Sequence, residues 1–374
     1  MAQMTGFDDG EEETVINLTV KPGMKQGWFG NAYGGYGSKD RYEGNAMVNR
    51  FVNNDQITFM GGTNNTNNMG FSDLASTMFS GMGGGGGRRG GFGAGSGITS
   101  SGNAGLNFSK EFKPDKLTLG GNTRYSHSDN DARSKSDRQN ILPGDSSSYD
   151  NSEAMSRTKS DNFGVDFRLE WKPDTMTQLI FRPSFSLSHS MNDNFSDATT
   201  LDNERDTVNT NKSSNYSESN GYNLNASIDF SRKLNNKGRV FSATLSGGNS
   251  DSYSDGMNRS DIVYFNQTDA LKNSIIDQRS RYDNKGFNYR AYVSWVEPIG
   301  HNNFIQATYS ISQRKQEALK NVYNQDADGI YNVLDSAYNQ SYRNNFISQR
   351  ASLSFKSQRA KFNYTIGLNL DPSY

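Results

Sequence analysis

Residues 222–230 read Tyr-Asn-Leu-Asn-Ala-Ser-Ile-Asp-Phe, with an apolar or aromatic residue at every even position and a polar residue at every odd one. Because successive side chains of a β-strand point to opposite faces, this segment presents one face suited to lipid and one suited to water. Similar stripes lie within 163–171, 179–187, 287–295, 305–311, 347–355 and 362–370. The pattern predicts an all-β protein.

Six short polar turns join these segments about every 60 residues. They lie at 53–55, 113–115, 172–174, 235–238, 297–300 and 356–359. Longer polar segments, rich in Asn, Ser, Asp and Gly, lie between them at about 65–100, 129–160, 191–215, 255–282 and 318–340. Short periplasmic turns and long extracellular loops are typical of outer-membrane barrels. The sequence therefore predicts an antiparallel transmembrane β-barrel in the outer membrane.

About thirteen strands are predicted, at 28–36, 42–51, 56–64, 101–112, 117–128, 161–172, 177–190, 216–233, 239–254, 283–297, 303–317, 341–356 and 361–370. Bacterial single-chain barrels close with an even number of strands, because an open edge in lipid leaves backbone groups unpaired. The odd count predicts that this chain forms part of a larger barrel. The acidic start, Met1 to Glu13, lacks the features of a signal peptide and favours the same interpretation.

Aromatic residues gather near the short turns, where a barrel meets the membrane–water interface. They are Phe51, Phe108, Phe112, Trp171, Phe181, Phe230, Phe241, Trp295, Phe304, Phe355 and Phe362. The alternative is that aromatic residues favour strands and fall at strand ends by chance. The low mean hydropathy of −0.84 agrees with a barrel, because only one face of each strand meets lipid.

Composition excludes several classes of protein. A formal net charge of −1 argues against nucleic-acid binding, and the absence of cysteine removes disulfides and thiolate chemistry. No run of 18 apolar residues is present, so a helical membrane span is excluded. Disorder and a soluble sandwich remain rivals, but the strands are long and their aromatic residues are in register. No nucleophile motif or phosphate-binding loop occurs, so no enzyme and no cofactor is predicted.

One segment has the spacing of a calcium loop. Asn324, Asp326, Asp328 and Asp335, with Gly329 and Asn332 between them, nearly match a twelve-residue loop that binds calcium through oxygen ligands. The alternative is a plain Asx/Gly turn. The histidines at 127, 189 and 301 are far apart in sequence, so solvated side chains are favoured over a shared metal site.

Two adjacent segments carry a family resemblance. Residues 15–23 read Val-Ile-Asn-Leu-Thr-Val-Lys-Pro-Gly, and residues 27–37 read Gly-Trp-Phe-Gly-Asn-Ala-Tyr-Gly-Gly-Tyr-Gly. The chain here resembles TonB-dependent receptors and related large outer-membrane barrels of Bacteroidota, in which the first type of segment ends a plug domain and the second begins the barrel. Further likeness lies at 41–43, 49–51 and 67–73.

The resemblance implies the end of a plug-like domain or linker at 1–24 and a partial barrel at 25–374. The complete barrel would then have roughly 22 strands, as large plugged transporters do. It implies a receptor that contacts outer-membrane lipid and imports a small-molecule, glycan or peptide ligand. A missing N-terminal part would meet an inner-membrane energy-coupling protein. The alternative is a barrel that displays loops for adhesion, assembly or structural interaction without transport.

Six charged residues are predicted to face the barrel lumen: Arg168, Glu170, Arg182, Asp229, Arg290 and Arg314. They are candidates for lining a ligand path, because they alternate with the apolar stripes. Contacts with a plug and structural salt bridges are the alternatives.

Overall fold

The computed structural model describes residues 26–67, 97–141, 147–265, 273–300, 302–359 and 363–372. The strands are β1 Gln26–Tyr36, β2 Tyr42–Val52, β3 Asp55–Asn64, β4 Ile98–Lys113, β5 Leu117–Asn140, β6 Ser148–Trp171, β7 Thr177–Leu201, β8 Thr207–Lys233, β9 Val240–Tyr264, β10 Asn273–Pro298, β11 Asn303–Gln325, β12 Tyr331–Leu334, β13 Gln340–Gln358 and β14 Asn363–Leu370. Across these ranges no helix is long and apolar enough to cross a membrane. The predicted all-β class is confirmed.

All the strands belong to one antiparallel sheet, in which strands that follow one another in sequence pair with each other, with one exception at β12. The short β12 pairs only with β11, and β13 takes the next place in the sheet. The continuous path therefore has thirteen strands, which agrees with the predicted count. β1 and β14 form the two edges of an open sheet. After an odd number of antiparallel strands the two edges run in the same direction, so they are unsuited to antiparallel pairing with each other.

The register shows how the strands are staggered. One row of directly paired residues consists of Leu117, Trp171, Leu179, Phe230, Ala243, Val293, Tyr309, Ala351 and Leu370. It starts beside a short turn, at the first residue of β5, and finishes at the last residue of β14, farthest from its turn. Such a displacement of each strand along its neighbour is the stagger of a barrel wall. We call the face that carries this row the outer face and the opposite one the inner face.

The long strands continue well beyond their apolar residues. β8 has 27 residues, and its apolar outer stripe covers only Tyr222 to Phe230. A membrane span needs about 9–11 tilted residues. The rest of β8 and the corresponding parts of its neighbours form a polar extension of the sheet, at residues 126–140, 148–162, 188–201, 207–221, 250–264 and 273–286.

The polar segments predicted as long loops at 129–160, 191–215 and 255–282 are therefore largely strand. In the segment 318–340, β11 continues to Gln325 and β12 follows. Polar side chains do not prevent the backbone ladder from continuing, but a strand that is polar on both faces loses the hydrophobic alternation by which it is recognised. Most of 65–100 lies outside the described residues, as do the plug-like segment 15–23 and the boundary at residue 24.

The aromatic residues near the short turns are divided between the two faces. Phe230, Phe241 and Trp295 lie on the outer face. The ring centroid of Phe241 is 6.3 Å from that of Phe230 and 6.4 Å from that of Trp295. Phe51 and Phe304 instead lie on the inner face, opposite Gln56 and Lys356. Side chains alternate between the faces along a strand, so nearness to a turn does not decide which face a residue occupies. Phe51 and Phe304 were therefore wrongly included in an interfacial girdle. Phe362 lies outside the described residues.

We expect Gly121→Ala to destabilise the sheet by about 1–3 kcal/mol through overpacking. Gly121 lies between Phe108 and Phe167, and a Cβ there would be 2.7 Å from Phe167 Cδ1 and 3.0 Å from Phe108 Cε1. The measurement is the midpoint of thermal loss of the β-sheet circular dichroism signal. Gly44→Ala is the matched control, because nothing lies within 4 Å of its added Cβ. Equal midpoints for the two variants would contradict the packing assignment.

Candidate functional site

Polar side chains line the inner face at the level of the outer apolar rows. Asn49, Thr58, Asn107 and Asn122 are directly paired across β2 to β5, and all four are buried. Thr58 Oγ1 donates a hydrogen bond to Asn49 Oδ1. Asn49 Nδ2 and Asn122 Oδ1 have no hydrogen-bond partner among the described residues. Because buried polar atoms are usually paired, this row is suited to contact with polar groups.

An ionic cluster lies on the inner faces of β6 to β9. Arg182 forms a salt bridge with Asp229, and Thr244 Oγ1 donates to Asp229 Oδ1 over 2.8 Å. Glu170 lies in the same row as Asp229, with Ile180 between them. Its carboxylate accepts hydrogen bonds from Lys172 at 2.7 Å, from Arg168 at 3.0 Å and from Gln178 Nε2 at 2.8 Å. The cluster holds three cations and two carboxylates.

The register places all six predicted lumen-facing residues on the inner face. Arg168, Glu170, Arg182 and Asp229 are brought together in the ionic cluster. Arg290 lies apart on β10, opposite Ser246 and Ser312, with its guanidinium 6.0 Å from the ring centre of Tyr292. Arg314 lies opposite Asn288 and Phe346.

The calcium-loop residues lie at the turn between β11 and β12. Asp326 Oδ1 accepts from the backbone N–H groups of Asp328 and Ile330 at 3.0 and 2.9 Å, and these bonds lower the pKa of its carboxyl group. Asp335 Oδ2 accepts from Asn324 Nδ2 at 3.0 Å and from Gln278 Nε2 at 3.1 Å. The side chains thus divide into two hydrogen-bonded groups, and calcium binding stays a prediction. The described ranges contain no group of three His, Asp or Glu side chains that could hold a metal ion.

Two histidines that are remote in sequence flank one carboxylate in the structure. His127, Asp161 and His189 are directly paired across β5, β6 and β7 on the outer face. His127 Nδ1 lies 2.8 Å from Asp161 Oδ1, and His189 Nδ1 lies 2.8 Å from Asn220 Oδ1. The expectation of separate solvated histidines missed this arrangement. No local signal marks it, because the two histidines are aligned only by the register of β5, β6 and β7. His301 lies outside the described residues.

The two faces of the polar extension differ in charge. The outer face carries cross-strand ion pairs, including Lys135 with Glu153 at 2.8 Å, and Arg157 with Asp129 at 2.7 Å. Asp255 is paired with Arg279, which lowers the pKa of that carboxyl group. From β5 to β9 the inner face carries only one charged pair of positions, Arg138 and Asp150 near the far end of β5 and β6. One of its rows consists of Ser128, Ser160, Ser190, Ser219 and Ser254. The extension therefore has a highly charged outer wall and an inner wall of mostly uncharged polar residues.

No family model and no curated protein matches this chain. Among solved structures, it is similar to the alcaligin outer-membrane receptor FauA from Bordetella pertussis, with 12% sequence identity and a TM-score of 0.18. The similarity covers 94% of this chain, which spans 62% of the length of that receptor. The fold assignment therefore rests on the strands and their register.

We expect Arg182→Gln and Asp229→Asn each to destabilise the sheet by about 1–3 kcal/mol, because each leaves a half-buried polar partner unpaired. The double variant should lose less free energy of unfolding than the sum of the losses in the two single variants, since both charges are then removed. Denaturant titration of the four proteins measures this coupling.

Lys135→Gln and Glu153→Gln provide a matched control cycle. Their side chains are 68% and 62% exposed, against 27% and 12% for Arg182 and Asp229. Exposed pairs contribute little because water screens them, so this cycle should show no measurable coupling. Additive losses at Arg182 and Asp229 would show that their contact is not energetically significant.

Proposed function

We propose that this chain forms part of the wall of an outer-membrane β-barrel that binds and imports a polar ligand, in the manner of TonB-dependent receptors. The observation that carries this proposal is the contrast between the faces of the same strands. In β8, Leu224 and Ile228 lie on the outer face, whereas Asn225 and Asp229 lie on the inner face. Such a strand suits a wall between lipid and a polar lumen.

The proposed orientation follows from the strand ends. The short turns would face the periplasm, the apolar rows would meet outer-membrane lipid, and the polar extension would project outside the cell. Arg239 supports this placement, because it pairs with Glu297 beside Trp295, whose Nε1 donates to Glu297 Oε2 over 3.1 Å. Tryptophan beside polar groups is favoured at a membrane interface.

The inner face supports passage of a polar ligand. The mostly uncharged inner wall of the extension leads toward the ionic cluster of Arg182, Asp229 and Glu170, where charged and amide groups would exchange hydrogen bonds with the ligand. The resemblance at 15–23 and 27–37 favours gating by a plug and coupling to an inner-membrane protein. Small molecules, glycans and peptides all fit this chemistry.

The second candidate is a barrel that displays its extension for adhesion or assembly without import. The observation that favours it is the height of the extension, because β7 to β10 have 25 to 27 residues and a span needs about 9–11. A tall, regular extension with a charged outer wall provides a large exposed surface for a partner.

Single cysteines test the membrane placement, because the chain has no native cysteine. We expect a charged maleimide to label Asn225→Cys and to spare Leu224→Cys in outer-membrane vesicles, since only the first side chain faces water. The measurement is the labelling rate by mass spectrometry, with detergent-solubilised protein as the control for intrinsic reactivity. Equal rates at these adjacent positions in vesicles would contradict the assignment of the two faces.

The same cysteine distinguishes import from display, when it is placed in cells that carry the full-length gene. In an energy-coupled receptor, a protonophore should change the labelling rate of Asn225→Cys, because the gating element moves only when energised. Glu204→Cys, in the exposed turn between β7 and β8, is the control and should be unaffected. An unchanged rate at residue 225 would favour the display function.

A further inference from the structure

A groove of about 470 Å³ lies on the outer face, where the apolar rows end. Phe163, Leu187 and Tyr222 are directly paired across β6, β7 and β8 and form its lower side. The next row contributes Asp161 and His189 to its upper side. The groove therefore has an apolar half toward the short turns and a polar half toward the extension, which is the division that an amphipathic molecule needs.

The charged groups that line this groove are acidic. Its lining includes the carboxylates of Asp161 and Asp251 and contains no lysine or arginine. Asp161 already accepts hydrogen bonds from Tyr125 Oη at 2.6 Å and from His127 at 2.8 Å. Asp251 differs, because its carboxylate makes no hydrogen bond or ion pair with any described residue. An unpaired carboxylate in a groove is suited to a ligand cation.

Two tyrosines lie on either side of Asp251. Tyr222 is its direct neighbour on β8, and Tyr253 is the next residue of β9 on the same face. The Tyr222 hydroxyl donates to Asn249 Oδ1 over 3.2 Å, and the Tyr253 hydroxyl donates to Asp255 Oδ2 over 3.4 Å. These bonds hold the rings beside the carboxylate. Aromatic rings around a negative group attract ammonium ions through both charge and the ring quadrupole.

Lys285 is the competing cation. It is paired with Asp251 across the β9–β10 ladder, but no salt bridge joins the two side chains. Glu317, its direct neighbour on β11, lies on its other side. The pKa of that carboxyl group is lowered mainly by a hydrogen bond from Lys315, with a smaller contribution from the charge of Lys285. The Asp251 carboxylate is therefore open to a cation from outside the chain.

We propose that this groove binds a lipid whose headgroup carries an ammonium group. The ammonium contacts Asp251 between Tyr222 and Tyr253, and the acyl chains run along Leu187 and Phe163 toward the apolar rows. The inference rests on the membrane placement proposed above, which sets this groove at the boundary between hydrocarbon and headgroups. It adds a specific lipid site to a wall that otherwise contacts lipid nonspecifically.

The test is native mass spectrometry of the full chain in detergent, with added phosphatidylethanolamine or phosphatidylglycerol of identical acyl chains. We expect the protein to retain phosphatidylethanolamine roughly threefold more tightly, as a cation–π contact and a carboxylate would give. Asp251→Asn and, separately, Tyr253→Leu should remove this preference. Asp137→Asn is the matched control, because Asp137 lies on the outer face of β5, opposite Asn151, and does not line the groove.

The outcomes separate this site from the membrane placement. Retention of both lipids without preference, or an unchanged preference in Asp251→Asn and Tyr253→Leu, would overturn the ammonium site and leave the barrel wall intact. Retention of neither lipid would also overturn the lipid site, whereas the maleimide labelling of Leu224→Cys and Asn225→Cys tests the membrane placement separately. Circular dichroism of each variant confirms the fold, and Tyr253→Leu preserves the test if Asp251→Asn does not fold.

Discussion

The rest of the structure depends on the antiparallel backbone ladder that joins each strand to its neighbour in sequence. In hydrocarbon no water is available to hydrogen-bond the backbone, so every N–H and C=O group of a span needs a partner in the protein. The ladder meets this need from β2 to β13, where every strand except the short β12 is paired on both sides. The same ladder keeps the polar extension ordered outside the apolar rows.

Strand parity and stagger then decide which side chains meet. Because the side-chain period of a strand is two, each ladder separates apolar residues from polar ones within a single segment. Because the strands are staggered, a row of paired residues begins near the start of one strand and finishes near the end of a distant strand. Residues that are remote in sequence therefore become neighbours. The ionic cluster of Arg182 and Asp229, the serine row and the groove near Asp251 all arise from this registration.

The predictions from sequence succeeded where one face was apolar and failed where neither was. Stripes such as Tyr222 to Phe230 located most of the long strands, and turn residues such as Pro114 located the short connections. The paired strand segments at 129–140 and 148–160 were predicted as a loop, because Ser, Asn and charged residues on both faces give no hydrophobic alternation. Phe51 and Phe304 were assigned to the wrong face, since nearness to a turn was used in place of parity.

The amino-acid sequence by itself determined the all-β class, the order of the long strands, the positions of the short turns and the face of each charged residue in a clear stripe. It could do so because turn chemistry and side-chain alternation are local properties. Only the tertiary structure decided the height of the extension, the pairing of His127 and His189 around Asp161, and the unpaired state of Asp251. Those features depend on register between strands, which is set by the whole ladder and not by any one segment.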